Sequence, residues 1–120
     1  MNYAPNIRYA RRLTDRVIEL LSPLELDATA VAWIARDAHE LGHATSWFLD
    51  ATMVTNISFE VVPIVMHAVG YAKINDGLQQ FVLVLPNPFA RLALQAESER
   101  APVATLVVES RSEGLAALGL

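Results

Sequence analysis

The 120-residue sequence predicts an α/β fold, a single domain on a five-stranded mixed sheet with the element order β-β-α-β-α-β-α-β-α. Three observations carry this. Residues 7–12 and 16–21 are short strand candidates joined by Leu13-Thr14-Asp15, a connector of hairpin length with a turn-forming aspartate, so they pair antiparallel. Residues 45–49, 81–85 and 104–108 are apolar almost throughout, as strands covered on both faces of a parallel sheet should be. Between them run segments of helical periodicity, and right-handed crossovers place such helices across the sheet.

Taken in order, Ser22-Pro23 stops the second strand, and Asp27 is a good N-cap for the first helix. Val31, Ile34, Ala35, Ala38 and Leu41 then repeat at helical spacing and form one apolar face. Arg36, His39, Glu40 and His43 fall on the opposite side, with Trp33 beside them, and Gly42 stands where a C-terminal cap belongs. A strand over 45–49 ends at Asp50, followed by a Thr- and Asn-rich loop over 51–57. Ser58 caps a helix over 58–71, with Pro63 in its first turns. Val61, Val62, Ile64, Val65, Met66, Ala68 and Val69 leave that helix almost no polar face, so it should be covered on more than one side. Asn75-Asp76-Gly77 reads as a turn before the strand 81–85. Asn87-Pro88 supplies an N-cap with proline at the first helical position, for a helix to about Glu99. Ala101-Pro102 breaks it, 104–108 is the last strand, and Ser110 to Glu113 has capping-box spacing for a short closing helix.

Composition narrows function. With 53% hydrophobic and 18% charged residues the chain is globular. A net charge of −4 without any basic run argues against nucleic acid, since phosphate binding needs clustered Lys and Arg. Zero cysteines exclude disulfides, thiolate metal sites and cysteine nucleophiles. The start, MNYAPNIRYARRL, lacks the apolar run of a signal peptide, and no stretch is long enough to span a bilayer, so a cytoplasmic location is expected.

The stretch AHELGHA (38–44) resembles the H-E-x-x-H signature of zincin-type peptidases. Two histidines at i and i+4 share one helix face and can share a zinc ion, while the glutamate activates bound water. A catalytic zinc needs a third protein ligand. The extended signature places Ser46 where its glycine belongs and Leu49 where its third histidine belongs. Glu60 and His67 remain as distant candidates. Zincins also carry a substantial sheet before this helix, and here only two short strands precede Asp27. The stretch therefore reads as a helix terminus, with Leu41 in the core, and neither metal nor cofactor nor enzymatic activity is expected. A zinc hydrolase using His39, Glu40 and His43 is the alternative.

The passages SWFLDATMVTNIS (46–58), FVLVLPNPFARLALQ (81–95) and ESRSEGLAAL (109–118), in this order, resemble a small STAS domain, the fold of bacterial anti-sigma-factor antagonists. They also resemble the SpoIIAA-like proteins, related to that fold and to CRAL-TRIO lipid-binding domains. The resemblance covers nearly the whole chain and implies a regulatory, protein-binding role. In the antagonists a phosphorylatable Ser or Thr in a D-S-x-G-L-like motif opens the helix after the third strand. The corresponding place is Asn56-Ile57-Ser58-Phe59-Glu60, which makes Ser58 the candidate phosphosite, without the family's aspartate and Gly-Leu.

Asp50, Thr52, Thr55, Asn56, Ser58 and Asn87 are the candidate binding residues, because open α/β sheets bind ligands in the crevice beyond the carboxyl ends of their strands. Their competing role is to satisfy loop backbone groups. His67, inside an apolar helix, reads as a core or interface histidine. The apolar helix over 58–71 suggests a protein partner, a second copy of the chain or a small apolar ligand, unless the N-terminal segment buries it.

Overall fold

The computed structural model describes residues 8–120. The chain runs β1 (Ala10–Arg12), β2 (Val17–Leu20), β3 (Glu25–Leu26), α1 (Ala28–Leu41), β4 (Ser46–Asp50), β5 (Asn56–Ile57), a 3-10 turn (Phe59–Val61), α2 (Val62–Asp76), β6 (Gln80–Val84), α3 (Pro88–Ser98), β7 (Ala104–Val108) and α4 (Arg111–Ala117). The first predicted strand begins at Ile7, which lies outside the described residues, as does most of the N-terminal segment expected to compete for α2.

The five-stranded sheet has the order β1-β2-β4-β6-β7. β1 pairs antiparallel with β2 around Leu13 to Arg16, and every other neighbour is parallel. Two features were not expected. β3 and β5, two residues each, form a separate parallel ladder, Glu25↔Asn56 and Leu26↔Ile57, inside what reads as loop. The apolar helix also runs to Asp76, so Asn75 and Asp76 belong to its last turn and Gly77 is its cap, at φ 76°. The Asn-Asp-Gly signal is real, but its glycine ends a helix with left-handed backbone rather than centring a free turn.

Alternation across the sheet separates two cores. Ile18, Trp47 and Phe81 lie in one row, as do Leu20, Leu49, Leu83 and Val107; their side chains meet Val31, Ile34 and Ala38 of α1 and Val69 and Ala72 of α2. Half-buried Ala90 and Leu94 of α3 pack against the same cluster. The opposite face carries Val17, Phe48, Val82, Val84 and Val108, joined by Leu115 and Leu118 around α4. A strand order that grows in one direction keeps all three crossover helices on one face, leaving α4 to cover the other. Gly114 makes that fit possible: a Cβ there would stand 2.6 Å from Phe48 Cε1 and 3.1 Å from Val84 Cγ2.

Burial departs from the sequence reading in four places. Leu41 is exposed rather than core, since α1 ends just as its stripe turns outward. β7 exposes Ala104 and Leu106 because it is an edge strand, and only its end, Val107 and Val108, is buried. His67 is exposed on α2, not buried. α2 buries only Val69, Ala72 and Asp76; Ile64, Tyr71 and Ile74 remain at the surface, so the described residues cover one side of it.

Candidate functional site

The carboxyl ends of β4 and β6 open into a crevice of about 420 Å³, with Thr52, Thr55, Asn56 and Asn87 among its lining. The fold thus brings four of the six predicted binding residues together. The ends of parallel strands diverge into loops there, and the α3 N-terminus forms one wall. Asn87 Oδ1 caps α3 by accepting from the N–H groups of Phe89 at 2.9 Å and Ala90 at 3.1 Å. Thr55 is tied to the β3 segment, donating its backbone N–H at 2.8 Å and its hydroxyl at 3.2 Å to the carbonyl of Leu24.

Asp50 and Ser58 do not line the crevice. Asp50 Oδ1 accepts from the Thr52 N–H at 3.0 Å and the Thr52 hydroxyl at 2.5 Å, while Oδ2 faces Arg111 at 3.1 Å. Ser58 Oγ accepts from the Glu60 N–H at 3.3 Å and so caps the 3-10 turn rather than α2 itself.

The sequence reading missed an ionic cluster on the α4 face. Glu19, 2% exposed, accepts from Arg11 at 2.8 Å and from Arg111 at 2.5 Å. Arg111 also stands 5.3 Å from the centre of the Phe48 ring. Burial by itself raises the Glu19 carboxyl, but the hydrogen bonds and charges of Arg111 and Arg11 hold it below its ordinary value. Asp50 is likewise raised by burial and lowered further by Thr52 and Arg111. A second overlooked acid, Asp37 of α1, is buried and accepts the Tyr9 N–H at 2.8 Å. A charged residue on an apolar strand or helix is the available signal for both acids, but partners far away in sequence are needed to interpret it.

The HELGH residues go separate ways. His39 Nδ1 lies 3.0 Å from both carboxylate oxygens of Asp76 at the end of α2. The His43 ring packs against Gly77, where a Cβ would stand 2.6 Å from its Cε1. Glu40 faces Arg8 at 3.4 Å and Arg36 at 3.6 Å. Among the described residues, no group of three or more His, Cys, Asp or Glu is placed to hold a metal ion. The carboxylate bonded to His39 is Asp76.

An apolar void beneath α2, lined by Leu26, Ile57, Val61, Val65, Met66 and Leu94 among others, measures about 40 Å³. That is far below the roughly 150 Å³ that admits benzene, so as it stands the void takes no acyl chain. Among the described residues no helix is long and apolar enough to cross a membrane. Compared with family models, curated proteins and solved structures, the chain finds no match.

Proposed function

We propose that this protein is a non-enzymatic, STAS-like regulatory module that binds a protein partner at the carboxyl end of its sheet. One observation carries the reading. Four large apolar side chains on the segments that build the polar crevice are exposed: Leu24 at 61%, Met53 at 75%, Phe59 at 60% and Phe89 at 83%. Leu24 is bonded to Thr55, Met53 follows Thr52, Phe59 follows the Ile57 wall, and Phe89 donates to Asn87. Aromatic residues and methionine are enriched at protein interfaces, and exposed apolar side chains clustered together mark interaction sites. In this reading Ser58 acts as a cap and Asn87 fixes α3.

Capture from a lysate of the source cells, with the full chain against Phe59→Ser/Phe89→Ser, tests this. A specific partner retained by the wild type and lost by an equally stable variant supports it. Partners bound equally by both, or none, dismiss it. Self-association through the outer side of α2, where Ile74 is 83% exposed, is the second part of the reading. Sedimentation of wild type against Ile74→Glu checks it, and a monomeric wild type removes it.

A further inference from the structure

We propose that the groove between α1 and α2 is a binding site for a small carboxylate with an aryl-sized apolar body. The groove encloses about 360 Å³, within the range of roughly 300–1,000 Å³ typical of small-molecule sites. Alanines make it: Ala32 and Ala35 from α1 face Ala68 and Ala72 from α2, with Trp47 of β4 among the lining. Ile64 and Tyr71 contribute wall, the Tyr71 ring standing edge-on to His39 at 5.4 Å. This is flat, largely apolar surface suited to a ring.

Polar side chains in the lining favour an anion. Arg36, His39 and His67 are the cation-capable groups, and Asp76 is the lining carboxylate. Asp76 is buried and turns both oxygens to His39 Nδ1, so its carboxylate is engaged by that ring. That bond fixes the imidazole and leaves Nε2 as the ring nitrogen for a ligand. A carboxylate there requires Nε2–H while Nδ1–H serves Asp76, so the bound form holds His39 as imidazolium. The groups around His39 are Arg36 and Glu40 on its own helix and His67, Tyr71 and Asp76 on α2; Glu40 does not line the groove and faces Arg8 and Arg36. The site is separate from the crevice, and Ile74 lies outside its lining.

Titration calorimetry of the full chain with phenylacetate, phenylacetamide and phenethylamine tests this, with amide NMR to locate the bound probe. Phenylacetate is expected to bind about tenfold more tightly than the amide, with the amine weakest. Shifts should concentrate at His39, Ala68 and Tyr71. Ala68→Leu fills the groove and should abolish binding without unfolding the chain; His67→Gln should weaken the acid alone. Equal binding of all three probes, absence of saturable binding, shifts elsewhere, or Ala68→Leu that is folded and binds normally would each overturn the proposal. A dimer that covers the groove and excludes phenylacetate overturns it equally.

Discussion

Arg111 and Glu19, 92 positions apart, meet at 2.5 Å above the α4 face of the sheet. The same guanidinium nitrogen reaches Asp50 at 3.1 Å, so one cation on α4 holds acids from two neighbouring strands. This contact fixes where α4 sits, and the first predictions follow from it.

Arg111→Met leaves buried Glu19 with Arg11 alone and takes Asp50's cation away. Losing one partner of a buried charge leaves desolvation uncompensated, so unfolding stability should fall by about 2–3 kcal/mol. Urea denaturation measures it. Adding Glu19→Gln should recover part of the loss, whereas purely additive effects would show that the pair is uncoupled.

Acid should weaken the fold through the same carboxylates. Glu19 and Asp50 titrate below their ordinary values in the folded protein. Their contribution is therefore complete above the unfolded-state titration, from roughly pH 4.5 upward, and is lost as pH falls through the lowered folded values. Melting temperature against pH should show an acid limb that Glu19→Gln makes shallower. An unchanged limb would place the acid sensitivity elsewhere.

Helix propensity and packing make opposite predictions for Gly114→Ala. Propensity alone favours alanine by about 1 kcal/mol within a helix. The added Cβ, however, would meet Phe48 Cε1 at 2.6 Å, so overpacking should win with a net loss of about 1–3 kcal/mol. A stabilised variant in thermal melts would mean that α4 can slide off Phe48.

Zinc should leave the protein's melting temperature unchanged, because His39 serves Asp76 while His43 packs on Gly77. Differential scanning fluorimetry with added zinc checks this. A rise abolished by His43→Ala would restore the hydrolase reading.

What the sequence made legible was local. Asp27 and Gly42 bound α1 as their cap preferences require, with Asp27 accepting the Ala30 N–H at 2.8 Å. The stretches 45–49 and 81–85 stood out because burial on both faces leaves them almost wholly apolar, and the strands form within one residue of them, at 46–50 and 80–84. The crevice residues Thr52, Thr55, Asn56 and Asn87 followed from the topology of parallel strands. Long-range pairings were hidden: nothing in Val-Ile-Glu-Leu says that Glu19 awaits Arg111, and nothing in the HELGH stretch points to Asp76. Two-residue strands such as β3 and β5 carry no periodicity, so they appear only once α1 and the 3-10 turn bring them side by side.

The one-directional strand order also sets a timetable. Glu19 is made early, whereas residues 111–118, which cover its face of the sheet, are made after β4, β6 and β7. Only when residues 111–118 leave the ribosome can Arg111, Leu115 and Leu118 close over Phe48 and Val82. A nascent chain whose sheet formed before then would carry an apolar face with a buried-type acid in its middle, the kind of surface that chaperones hold.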